Sequence, residues 1–452
     1  MKPACKWFGV ACLAIALWMF GGAVAAGGAP QDQQQKPNYT LAEYNAYQAA
    51  HNEKDPQAKI KSLDDFVSKY PMSALIPYVY RDYYLTYYQL KNYPQTIEYV
   101  DRLLALGDKV DLGTRLESLV ARAQAYFVGS GDKALQTPEA YTKAKDAAIQ
   151  GLQTLGQWQK PQNMTDEQFG TQKKSIGLLI NSVAGIAASG LKDYKAAVEF
   201  YKAALALDPN DAVTHFRLGV AYLQENPPDA QNGYWELARS IALKGPGEAQ
   251  VRTYLRNQLL HYQQPSCDKL VDDEMNQLIS LAGTSAERPS SMTMPSAEEL
   301  QKARDDTGNF LPWLQQGGEH GKSMWLATCG LEYPDVGVKV LEIVPGDGDN
   351  LTLKVYRPSA TDPDAAAKEM DAATMPNMEV HVVGQPDAKR IQKDDAVRFT
   401  GTLNGYQQSP FMLTWDNAKL NPEDLQPAPA GVGKRPARPG TPKPAAPKRN
   451  GA

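Results

Sequence analysis

DYKAAVEFYKAALALDP, residues Asp193–Pro209, followed by DAVTHFRLGVAY, residues Asp211–Tyr222, is the stretch that decides the fold. Ala197, Tyr201 and Ala204 recur at helical spacing and share one face. Pro209 cannot continue that helix and closes it. Upstream, Leu178 onward reads as a preceding helix, with Gly185 at a position where a small residue lets two helices approach. Tyr194 falls at the turn. The unit Leu178–Asp211 is 34 residues long, and Leu218, Gly219 and Tyr222 open another with a similar alternation of large and small residues. Self-similarity at such a period marks stacked two-helix units, none of which hides its apolar face alone.

Asp193–Pro209 resembles the second helix of the tetratricopeptide repeat (TPR). Leu218-Gly219-Val-Ala-Tyr222 resembles the core of the first helix that follows it. Weaker units flank this one. Ala58–Pro71 reads as a second helix, Ser73–Gly107 as a full repeat turning near Asn92-Tyr93-Pro94, and Leu112–Leu155 as a divergent pair. Trp235–Pro246 reads as a further second helix after the Asn226-Pro227-Pro228 insertion. Residues 38–282 are therefore expected to form a TPR-like α-solenoid of four to five helix pairs. Val251–Gln264 and Asp268–Leu281 finish it as caps.

The resemblance implies a concave groove, lined by first helices, that binds a peptide or protein. The groove positions are Leu179, Ser182, Ile186 and Ser189 in one unit, and Val213, Phe216, Val220 and Leu223 in the next. The Lys, Arg and Asn residues with which some TPR domains clamp a terminal carboxylate are absent there. So apolar a groove suits an apolar peptide or a helix of this same chain. Tyr80, Tyr83, Tyr84, Tyr87 and Tyr88 fall within an arc of roughly 140° on one helix. They form either a contact surface for a partner or the packing between repeats. The candidate protein-binding residues are thus Tyr80, Tyr84, Tyr87, Tyr88, Leu179, Ile186, Phe216 and Val220.

The ends of the chain suggest where it works. Lys2 and Lys6, the apolar run Trp7–Phe20 and the small residues up to Ala26 follow the order of a secretory signal, with Ala23-Val24-Ala25 fitting a cleavage site and an uncleaved anchor as the alternative. Export to a periplasm or cell envelope is the expectation. Without residues 1–26, Cys267 and Cys329 are the two cysteines left. In an oxidising compartment they either pair or stay as small buried hydrophobes. The full chain of 452 residues carries a net charge of −4, so no global basic field points to nucleic acid.

Residues 283–321 read as a linker, rich in Ser, Thr and Pro, with a short helix opened by the capping pair Ser296 and Glu299. Gly317-Gly-Glu-His-Gly-Lys-Ser323 resembles a phosphate loop but has Gln316 where the first glycine belongs. An apolar, strand-like segment also follows where a helix is required. From residue 322 to 426 the period changes from helix to strand. Val336–Val344, Leu351–Tyr356, Met378–Val383, Ala396–Leu403 and Pro410–Trp415 alternate as strands, with Ser323–Cys329 as a sixth candidate. Five or six short strands suit a small antiparallel barrel. The last two resemble those of OB-fold domains of the tRNA-anticodon-like type found in exported bacterial proteins. Some OB folds bind oligonucleotides or sugars, but basic and aromatic residues are sparse here: Tyr356, Arg357, Arg390, Arg398 and Tyr406. Asp347 and Asp349 lack the remaining ligands of a calcium loop, and Pro358 stands where its closing Glu belongs.

Residues 427–452 hold seven prolines and six basic residues without an acid, a disordered tail suited to anionic envelope polymers or to simple solvation. His51, His215, His261, His320 and His381 are scattered, and no nucleophile elbow, zinc motif or cofactor loop is visible. The fold class is therefore an α + β multidomain chain: an all-α TPR-like solenoid, then a β-barrel, then the tail. The expected function is an exported, non-catalytic protein–protein adaptor with no cofactor and no metal. One alternative is a module in which the barrel binds polysaccharide or nucleic acid. Another is an envelope enzyme with a site assembled only in space.

Overall fold

The computed structural model describes residues 38–425; the signal-like segment and the basic tail lie outside the described residues. Contacts divide the described chain into two compact units: 38–252 with 282–286, and 253–281 with 287–425.

The first unit is a succession of helix pairs. In chain order these are α1 (Leu41–Asn52) with α2 (Pro56–Lys69), α3 (Ile76–Gln89) with α4 (Tyr93–Leu104), and α5 (Leu112–Val128) with α6 (Pro138–Gln157). Next come α7 (Asp166–Gly190) with α8 (Tyr194–Leu207) and α9 (Ala212–Gln224) with α10 (Ala230–Ala242). Each helix packs on the next in sequence, as a stack of hairpins requires. The starts are set locally. Asp55, Asn92, Asp111, Thr137, Asp193 and Asp229 each accept a hydrogen bond from a backbone N–H of the first turn, and Thr40 and Thr165 form full capping boxes.

One turn occurs twice. Leu90-Lys91-Asn92-Tyr93 and Leu191-Lys192-Asp193-Tyr194 both place the lysine in the left-handed region, at φ 57° and 61°, and the following Asn or Asp as helix cap. This repeated tetrad is a second internal signature, and it ties the weaker second pair to the clear fourth one.

Small residues sit where helices touch. A Cβ at Gly185 would lie 2.4 Å from the Tyr201 ring, so the small position expected in the repeat is the seat of that ring. Gly219 meets backbone instead. A Cβ there would lie 2.8 Å from the Gly233 carbonyl oxygen and 3.0 Å from the Leu237 nitrogen, so the backbones of α9 and α10 are in contact. Backbone cannot swing aside as a side-chain tip does. Gly219→Ala should therefore cost about 2 kcal/mol, lowering the first unit's melting temperature by about 4–8 °C in a calorimetric scan. An unchanged melting temperature would mean that the helices do not cross there.

The second unit starts within α11 (Glu248–Gln263) and continues through α12 (Asp268–Thr284), α13 (Ala297–Asp305), α14 (Phe310–Gln316) and α15 (Gly318–Thr328). The strands follow: β1 (Glu332–Pro345), β2 (Leu351–Tyr356), β3 (Met378–Val382), β4 (Ala396–Gln407) and β5 (Met412–Leu420), with α16 (Pro363–Ala372) between β2 and β3. They close as β1-β2-β3-β5-β4, with β4 returning to β1, an OB-like barrel. The barrel is not wholly antiparallel, since β3 and β5 pair in parallel. Alternate residues Leu353, Val355, Val380, Val382, Phe399 and Trp415 fill its interior.

Three sequence expectations change. The repeats expected over residues 38–282 stop sooner, because 253–281 belong with the barrel unit. The 283–321 stretch is no mere linker: Leu300 of α13 and Leu311 and Leu314 of α14 are buried in the core cluster that holds the strands. And Ser323–Cys329 is not a strand, because residues 318–328 form α15. Its buried residues Gly321, Met324 and Thr328 follow the helical period, which a short apolar run does not reveal. A helix thus does follow Gly321-Lys322-Ser323. The phosphate-loop count still fails at Gln316, and α14 stands where a strand must precede. Cys267, just before α12, and Cys329, just after α15, form a disulfide with a Cα separation of 5.5 Å.

Candidate protein-binding surface

The tyrosines of α3 are dealt out to several neighbours. Tyr83 and Tyr87 stack on Tyr99 of α4, with centroids 4.1 and 5.5 Å apart, and Tyr80 tilts against the same ring at 6.1 Å. Tyr88 meets Tyr93 edge-on. Tyr84 turns to α5, where its hydroxyl donates to Glu117 at 3.1 Å. An arc of roughly 140° is wide enough to face two helices at once. Tyr84 is fully buried, while Tyr80, Tyr87 and Tyr88 keep part of their surface in water.

The first-helix positions divide in the same way. Leu179 and Ser182 are buried inside the stack and are not groove residues. They belong to the part of α7 that runs between α6 and α8, where two faces are covered. Ile186, Phe216 and Val220 are half-buried, and the last two lie one turn apart on α9.

Two clefts open elsewhere. One, of about 370 Å³, lies between α4 and α6 over α5, with Gln150, Gln153 and Gln157 along its rim and Leu119 and Arg115 below. The other, of about 250 Å³, lies between α2 and α4 over the tyrosines of α3, and adds Asp64, Tyr99 and Arg102. Both are flanked by second helices, whereas the sequence directed attention to first helices. Tyr99 and Arg102 stand three residues apart on α4, and Gln150, Gln153 and Gln157 share one face of α6. Helical spacing alone displays both sets, but it does not say which faces pair.

Electrostatics inside the stack are organised by burial. The Tyr83 hydroxyl donates to Asp64 at 2.5 Å, and burial, then that bond, pushes its phenol upward. Burial, then the Glu117 charge, does the same for Tyr84. Both stay protonated donors. His215 is buried between Glu236 (2.5 Å) and the Pro209 carbonyl (2.9 Å), a strut between α9 and its neighbours.

The barrel's outer β2–β3 face carries Lys354, Glu379 and His381. Lys354 pairs with Glu342 at 3.0 Å. His381 lies between Glu379 (2.9 Å) and Asp416 (2.6 Å). Burial opposes its charge, but hydrogen bonds to the two carboxylates prevail and raise its pKa. The arginines that a nucleic acid needs are already engaged. Arg398 pairs with Asp424 (3.0 Å), Glu423 (3.1 Å) and Asp335 (3.6 Å). Arg357 donates to the Gly337 carbonyl, Arg390 pairs with Asp387, and Lys389 holds Asp349 of the supposed calcium loop. Among the described residues no cluster of three metal-binding side chains occurs, and no helix is long and apolar enough to cross a membrane.

Comparison with known proteins bears on the first unit. No curated protein matches the chain. A solved structure that does is the C-terminal part of a TPR repeat-containing protein from Cytophaga hutchinsonii, 16% identical, covering 54% of this chain and 96% of that one. Its TM-score is 0.25, too low for geometry to be carried across. The family model of the TPR repeat matches residues 191–226, which take in α8, the turn before it, and α9. Sequence match and helix pairing agree there: residues 191–226 are a TPR repeat, set in a longer stack of helix pairs.

Proposed function

We propose that this chain is an exported, non-catalytic adaptor whose helical repeats hold a peptide or protein partner. The observation that carries this reading is the TPR repeat at 191–226, continued on both sides by further helix pairs. Such stacks present an extended surface suited to another chain. The half-buried apolar residues Ile186, Phe216 and Val220 supply contact area along it. Export draws its support from the basic, apolar and small residues of positions 1–26 and from the Cys267–Cys329 disulfide, which suits an oxidising compartment. A polyanion-binding role for the barrel is the weaker reading, because Arg357 and Arg398 are bound to other groups of the barrel unit.

The test is capture of partners from an envelope extract by the full chain, compared with the Phe216→Glu and Val220→Glu variants. Capture that falls at least tenfold in both, with helical content intact, supports the reading. Unchanged capture in both variants overturns it, and so does capture that both variants keep but Arg398→Ala loses.

A further inference from the structure

We propose that the cleft between α2 and α4 seats one cationic side chain, arginine or lysine, of a peptide partner. This deepens the adaptor reading above and rests on it.

The cleft's size limits the occupant. At about 250 Å³ it falls below the usual range for a small-molecule pocket and admits a single long side chain. Its floor is aromatic. Tyr80, Tyr83 and Tyr99 line it: Tyr83 stacks within 15° of parallel on Tyr99, and Tyr80 leans on Tyr99 at 58°. Ring faces attract cations.

The chain itself shows that this stack holds one. The Arg102 guanidinium lies 4.7 Å from the Tyr99 centroid. Tyr83 covers that ring from the same stack, so an incoming cation is left with Tyr80 and the carboxylate of Asp64. Charge points the same way. Glu98, at 2.5 Å, answers Arg102. The formal charge that remains in the lining is that of Asp64, which is exposed and accepts from Tyr83 through one oxygen. A cation completes the set. With Arg102 answered by Glu98, an anion would face the carboxylate of Asp64, and an apolar group would strip water from Asp64 without replacing it.

The experiment titrates the full chain, by calorimetry, with a capped five-residue peptide carrying one central arginine. A second peptide has citrulline there, which keeps the shape and removes the charge. Expected are saturable binding of the arginine peptide, at least a tenfold loss with citrulline, and a similar loss in Asp64→Asn. Asp64 is exposed, and an amide oxygen still accepts from Tyr83, so that variant keeps its fold. Tyr80→Leu should weaken binding about threefold to tenfold. Equal affinity for citrulline, no effect of Asp64→Asn, tighter binding of a glutamate-bearing peptide, or no heat up to millimolar peptide each overturns the proposal. The adaptor reading is judged separately by the Phe216→Glu capture. If that capture is lost while the arginine peptide does not bind, the adaptor stands and this cleft is not its cation seat.

Discussion

Reduction of the Cys267–Cys329 bond should weaken the second unit by about 4 kcal/mol. The bond closes a loop across a sequence separation of 62, from the start of α12 to the end of α15. Opening that loop returns chain entropy to the unfolded state, whatever contacts survive in the folded one. Cys329 is itself buried, so replacing both Cys267 and Cys329 with Ala removes the bond and leaves no free thiol in that unit. The first unit has no cysteine among its described residues, which makes it an internal control. With dithiothreitol, the calorimetric transition of the barrel unit should move down while that of the helical stack stays in place. If free-thiol titration confirms reduction and both transitions hold still, the bond does not stabilise the fold. The consequence for function is direct: a chain kept in a reducing compartment would carry a weakened barrel unit, in line with the proposed export.

Glu117→Ala should cost the helical stack about 3 kcal/mol. Glu117 is 7% exposed and accepts from Arg81 Nε and Nη2, at 3.0 and 2.8 Å, and from the Tyr84 hydroxyl at 3.1 Å. It thereby joins α3 to α5, the first helices of successive pairs. Removing it leaves a buried hydroxyl without its acceptor and a guanidinium without its counter-charge, and each loss is expensive where water cannot enter. Arg81 keeps 30% of its side chain exposed, which places the cost at the lower end for a buried pair. Glu117→Gln retains an acceptor oxygen and should cost about half as much. Denaturant titration of the three proteins checks the order. A Gln variant as unstable as the Ala variant, or an Ala variant within 1 kcal/mol of the parent, would show that packing and not this network binds the two pairs.

What could be read before any coordinates was local. Ala197, Tyr201 and Ala204 state a helix face, Asn92 and Asp193 state where helices start, and Val336–Val344 states a strand. Each depends on residues within a turn or two of one another, where backbone geometry fixes which side chains are neighbours. The TPR repeat and the barrel were legible for that reason. The site was less so. Tyr84 and Leu179 lie on suitable helices, yet they are buried, because a face becomes groove or core only when a second helix arrives. Arg398 looked available for a polyanion until Glu423 and Asp424, about 25 positions later, closed on it.

The clefts, the Glu117 network and the membership of α12 in the barrel unit are decided by pairings between distant segments. Periodicity ranks the faces of one helix but carries no information about which partner each will meet. That choice is made by the shapes and charges that come together when the whole chain packs.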